Sequence, residues 1–205
     1  MGTALVVGLI TGIGAIIFRY LINAVEWIGY DLIPSLTEQW GKAYVIFVPA
    51  IGGLLVGLLV YFFAREAKGH GVPEVMEAVA LRGGRIRPVV AVVKSLASAI
   101  CIGTGGSVGR EGPIVQIGSA LGSTIGQALK LSDDRVSNLV ACGAAGGIAA
   151  TFNAPIAGVI FALEVILDGR FSVRYFSSVV IASVTASVVG RAVFGNIPAF
   201  AIPFE

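Results

Sequence analysis

Long apolar runs alternate with short polar breaks along the whole chain, and the breaks mark the expected ends of helices. The first run covers 3–30 and is interrupted by Arg19. A second covers 43–63. A short amphipathic piece follows at 73–81. Runs at 88–102 and 113–129 flank a glycine-rich break. A long run at 135–167 is broken near Asn153–Pro155, and 172–194 closes the series. A helix needs about 20 residues, rising ~1.5 Å each, to cross about 30 Å of hydrocarbon. The piece at 73–81 is too short, and 88–102 and 113–129 are at or below that limit. Both halves of 135–167 are also short once the break is counted. Short, glycine-interrupted apolar runs predict broken helices that meet near the midplane. Irregular backbone at that depth survives only when buried in protein or lining a wet cavity.

Composition agrees with a membrane class. Of 205 residues, 56% are hydrophobic and 13% charged, with mean hydropathy +0.91. Soluble domains carry about 25% charged residues. The first run is too long for a signal peptide, and it lacks a basic flank and a small-residue cleavage site, so it reads as a retained span. Arg65, Lys68, Arg82, Arg85, Arg87, Lys130, Arg135, Arg170 and Arg174 fall in four polar loops, 9 of the 14 Lys and Arg. The loop at 31–42 carries only Lys42, with Asp31 and Glu38. The positive-inside bias therefore predicts the four basic loops in the cytoplasm and 31–42 outside. On that assignment 73–81 does not cross, the runs on either side of each break enter and return, and the two termini lie on opposite sides.

Several function classes lack support. The net charge of +2 makes no case for a nucleic-acid partner. Cys101 and Cys142 form no CxxC, and the single histidine, His70, cannot make a metal site alone, so no metal and no cofactor is expected. There is no GK[ST] and no GxGxxG spacing for a nucleotide. A GxSx serine with a span-borne histidine, an HExxH and paired span aspartates are all missing, which argues against an intramembrane enzyme. Glycines four apart (Gly8/Gly12, Gly53/Gly57, Gly118/Gly122/Gly126 and Gly143/Gly147) predict close helix packing.

Three motifs carry candidate chemistry. In GTGGSVGREGPIVQIG, 103–118, a helix starting near Arg110–Gly112 presents unpaired N–H groups and the positive end of its dipole. Gly109 and Gly112 leave the backbone bare for an anion. Pro113 suits the first turn. Glu111 then stands where an anion would bind, and it acts either as a competing gate or as a cap paired with Arg110 or Lys94. In GHGVPEVMEAV, 69–79, Pro73 opens a second short helix with Glu74 in its first turn. His70 either donates to an anion or is a surface histidine bonded to the backbone. In TFNAPIAGVIFALE, 151–164, Asn153 and Pro155 separate two helices. Glu164 at the far end either reaches the membrane surface or pairs with Arg170.

Together these motifs resemble the CLC family of chloride channels and proton-coupled chloride transporters. GREGP at 109–113 resembles its most recognisable motif, GHGVP at 69–73 resembles its GSGIP motif, and 152–164 is similar to the helix pair at its dimer interface. The resemblance covers nearly the whole chain. It implies an all-α integral-membrane bundle of tilted, partly re-entrant helices, with 1–205 as the first of two inverted repeats and no soluble regulatory domain. It also implies chloride or a similar small anion as cargo, a homodimer in the lipid bilayer, a partnering second repeat, and the plasma membrane as location. By resemblance Glu111 is the gate. Arg110, Glu111 and Gly112 supply N–H groups to an outer anion site. Gly69, His70 and Gly71 line inner and central sites, and buried Lys94 makes the pathway positive.

The sequence departs from the family pattern at named positions. His70 stands where the family has a serine. Val165 stands where proton-coupled members usually carry a glutamate, which favours passive conduction over proton-coupled exchange. Pro113 is retained where the fluoride-exporting branch typically replaces it, which ranks chloride above fluoride. The second-half GIFAP-type motif and the pore tyrosine are absent, so an assembly-only half-protein is a further reading.

Overall fold

The structure, a computed structural model, describes residues 1–33, 44–168 and 173–196. Most of the predicted outside loop, with Glu38 and Lys42, lies outside the described residues, as do Arg170 and the side chain of Arg174. Eight α-helices are described. They are α1 (Gly2–Trp27), α2 (Tyr44–Phe63), α3 (Val72–Leu81), α4 (Pro88–Gly103), α5 (Glu111–Ala128), α6 (Asp133–Phe152), α7 (Pro155–Phe161) and α8 (Val173–Phe194). A π-helical turn extends α1 over Ile28–Leu32 and another extends α7 over Ala162–Ile166. No strand occurs among the described residues.

The helix boundaries follow local chemistry. Pro88 and Pro155 occupy the first turns of α4 and α7, where a missing N–H costs nothing. Asn153 ends α6 in the left-handed conformation, at φ 55°, which asparagine tolerates better than most residues. One expectation needs correction. The first half of 135–167 is not short: α6 is an unbroken 20 residues, about 30 Å long. Its start at Asp133 falls in the polar loop that the apolar pattern excluded.

Helix α6 is the centre of the bundle, packed against α5, α8, α1 and α7. It is built largely of alanine and glycine, and its middle is fully buried. The glycines explain the close approach. A Cβ on Gly118 would collide with the carbonyl oxygen of Gly143, and one on Gly143 with that of Gly118. Gly122 meets Leu139 O in the same way, and Gly8 and Gly12 meet α8. Gly53 and Gly57 depart from the expectation, because nothing lies within 4 Å of a Cβ at either. The neighbouring Gly52 makes the contact instead, against Thr104.

Among the described residues, three helices are long and apolar enough to cross a membrane: α1 with its π turn, α2, and α8 over Tyr175–Phe194. On α2 only Val48 and Gly52 are buried, and Ile46, Leu54 and Phe62 are widely exposed. In water such a face would be costly, whereas in lipid it is the expected outer surface.

Candidate functional site

The loop from 64 to 71 is held from two sides. Lys94 on α4 is 3% exposed, and its Nζ donates to Ala67 O at 3.1 Å and to Gly69 O at 2.7 Å. Gln116 on α5 is 2% exposed, and its Nε2 donates to Glu66 O at 2.9 Å. A buried ammonium is tolerable only when its charge is answered. Here two carbonyl dipoles answer it, and the loop is drawn onto α4 as a result.

The loop then turns sharply into α3. Gly69 and Gly71 have φ of +96° and +106°, a region that a Cβ disfavours. The N–H of Gly71 donates to Glu74 Oε2 at 2.8 Å, the reciprocal half of a capping box. The first turn of α3 therefore carries its own carboxylate. Gly71 remains where the sequence put it, but its N–H is already engaged.

The second loop leaves α4 at Gly103 and is fixed from α1. Tyr30 Oη donates to Thr104 O at 2.8 Å, and Gly106 N–H donates to Cys101 O at 2.8 Å. Helix α5 begins at Glu111, with Arg110 as its cap, and Ile114 N–H donates to Arg110 O at 3.1 Å. The N–H groups of Glu111 and Gly112 have no helical partner. The Glu111 side chain is exposed and folds back over Gly109, where any Cβ would collide with its carboxylate. Neither expected pairing of Glu111 forms. Arg110 points away, with its guanidinium 5.6 Å from the Phe152 ring centroid, and Lys94 is engaged with carbonyls.

The two helix starts touch. A Cβ on Gly112 would collide with His70 O and lie 2.8 Å from His70 Nδ1, and one on Gly71 would lie 2.8 Å from Gly112 O. A cavity of about 610 Å³ opens beside this contact, lined by Lys68, Gly69, His70, Lys94, Gly109 and Pro113 among others. Gly71 and Gly112 pack behind its wall, and Glu111 leans on its rim at Gly109. Arg110 is not among the described lining residues of this cavity. A second cavity, about 580 Å³, lies across the 64–71 loop and includes Glu66, Glu74, Arg82, Arg87 and Gln116. Arg87 bonds Glu66 at 2.6 Å and holds its carboxyl below the usual carboxylate range.

Sequence reasoning placed Glu74 in the first turn but missed its capping role, and it missed Gln116. Glu74 stands three positions after Gly71, the capping-box spacing, so its role could have been read. Gln116 is an amide set among apolar residues in the first half of α5, which marks a polar contact without saying where. No group of three or more metal-ligating side chains occurs among the described residues.

The sequence profile of the family described as "Voltage gated chloride channel" matches residues 52–205. The chain belongs to this family, the CLC proteins. It is 34% identical, over 98% of its length, to the H(+)/Cl(-) exchange transporter ClcA of Vibrio parahaemolyticus. It is 33% identical, over 99% of its length, to the chloride channel protein CLC-e of Arabidopsis thaliana. A slow cyanobacterial Cl-/H+ antiporter superposes on 97% of the chain with TM-score 0.81 and 26% identity. The fold is therefore the all-α CLC membrane bundle. The CLC chain described here spans less than half of each: 44% of ClcA, 30% of CLC-e and 47% of the antiporter.

Proposed function

We propose that this chain forms the first inverted repeat of a CLC anion pathway that conducts chloride across the plasma membrane, with Glu111 as its gate. The observation that carries the reading is the meeting of two helix starts, at Gly71 and Gly112, beside a cavity that also holds buried Lys94. Helix N-termini attract anions without presenting a full charge, so an anion can bind and still leave. Glu111 competes for the place its own helix prepares. Backbone N–H groups of Arg110, Glu111 and Gly112 serve the outer side, and Gly69, His70 and Gly71 the inner side, with the basic loops in the cytoplasm. Because Glu74 already answers the Gly71 N–H, the α5 start is the stronger of the two. The exposure of Gly69, His70 and Glu111 supports a partnering second repeat, in a homodimer. Val165 favours passive conduction over proton-coupled exchange.

Chloride efflux from liposomes tests the reading. This chain is reconstituted alone and together with a second-repeat chain, beside a full-length relative. In the preparation that conducts, Glu111→Gln should flatten the pH dependence of flux. An unchanged pH profile removes Glu111 from the gate. Absence of flux in every preparation, with the relative active, leaves the assembly-only reading.

A further inference from the structure

A smaller cavity, about 70 Å³, lies at the end of the bundle where α5 starts and α6 and α8 finish. Its volume is about that of two water molecules in the liquid. Three guanidinium groups surround it, those of Arg19, Arg110 and Arg191. No acidic residue is among its described lining residues. The arginines are held by contacts that leave their charge unanswered. Arg19 lies 4.3 Å over the Phe194 ring centroid, and Arg110 lies over Phe152. Arg191 donates through Nε to Asn153 Oδ1 at 2.5 Å, and its two terminal nitrogens remain for another acceptor.

The second observation is independent of charge. Ser187 lines the cavity and is 3% exposed, yet its Oγ has no hydrogen-bond partner. Thr151 Oγ1, also on the lining, is buried and unpartnered. A helical serine or threonine ordinarily bonds back to the carbonyl four residues before it, as Thr124 and Thr185 do here. Two idle buried hydroxyls are unfavourable, and the three like charges beside them, two on exposed arginines, add a repulsion that solvent partly screens. A single acceptor-rich anion relieves both.

We propose that this cavity binds a small oxyanion of phosphate type, held by Arg19, Arg110 and Arg191 and by the hydroxyls of Ser187 and Thr151. Guanidinium forks match the paired oxygens of phosphate, and three positive charges favour a multivalent anion over a halide. A phosphate group can come from free inorganic phosphate or from a phospholipid headgroup. The site is separate from the 610 Å³ cavity and does not depend on chloride conduction.

The test uses the purified chain in detergent. Thermal unfolding is followed against inorganic phosphate and against sodium chloride at equal ionic strength, and phospholipid carried through purification is assayed as lipid phosphorus. Phosphate is expected to raise the midpoint where chloride does not, or retained phospholipid is expected to occupy the site in its place. The first outcome identifies the free ion and the second the headgroup. Ser187→Ala breaks no hydrogen bond present in the structure, so it should fold and should weaken phosphate binding or lipid retention. Arg19→Gln with Arg191→Gln should weaken it by at least about tenfold. Arg135→Gln, on an exposed arginine outside the site, should change nothing. Equal stabilisation by chloride overturns the oxyanion assignment. Binding or retention that survives Ser187→Ala and the double arginine variant unchanged overturns the site.

Discussion

Replacing Lys94 with methionine separates two roles that one lysine can play. The change keeps the apolar stem and removes the ammonium, which leaves Ala67 O and Gly69 O without their donor. Hydrogen bonds to a charged group contribute about 1.5–3 kcal/mol each, so about 3–6 kcal/mol of gross interaction is lost. Removing a charge that is 3% exposed returns part of this, because a buried ion carries a desolvation penalty of several kcal/mol. The expected net loss is about 1–3 kcal/mol, confined to the 64–71 loop. At about 1.4 kcal/mol per tenfold, the amides of Lys68 and Gly71 should exchange with deuterium roughly five- to a hundredfold faster. These amides are bonded to Arg65 O and to Glu74. Hydrogen exchange with mass spectrometry on the purified protein reads this directly, with Lys130→Met, exposed at the end of α5, as the control. If Lys94→Met leaves loop exchange unchanged, the lysine acts only through its field and the clamp described here is wrong.

Other perturbations follow the same geometry. Gly118→Ala drives a methyl into Gly143 O and should cost about 1–3 kcal/mol. Gly53→Ala meets open space and should stay within about 0.5 kcal/mol; unfolding midpoints of the two variants compare them, and equal effects refute the packing assignment. The folded-state pKa of Glu66 is depressed, so its pairing with Arg87 adds stability above the ordinary carboxylate pKa of 4.5 and loses it as pH falls through the folded value. The midpoint difference between the native chain and Glu66→Gln should therefore be present at neutral pH and close below about pH 4.5. The effect is small, since the pair is partly exposed.

Much of the helix plan could be read from the chain, because prolines and glycines punctuate it where the backbone needs them. Pro88, Pro155 and Asn153 mark helix ends that the structure reproduces. The start of α6 at Asp133 was hidden because an apolar pattern ignores the charged residues of a first turn, although such residues favour that position. The meeting of the 69–71 and 109–112 segments was legible as two motifs of one kind, but their contact through Gly71 and Gly112 is long-range. The direction of Arg110 was not legible either, since its neighbour in the chain, Glu111, sits on the opposite side of the helix start. Gly53 and Gly57 show the limit of spacing rules. Four-residue periodicity says that a face is small, not whether protein, lipid or empty space lies against it.

Gly57 is where that distinction matters. It lines the 610 Å³ cavity together with Val56, Val60 and Tyr61, so α2 supplies one wall of the chamber. Yet α2 buries only Val48 and Gly52 against the rest of the chain. Leu59 and Val60 add contacts with the core, so the wall is anchored along one edge and its outer face takes its shape from whatever presses on it. In a bilayer that is acyl chains, whose lateral pressure and thickness vary with lipid composition. The volume of the chamber thus depends partly on what covers α2, and the side chains on the α4 and α5 side define only the half of it that does not yield.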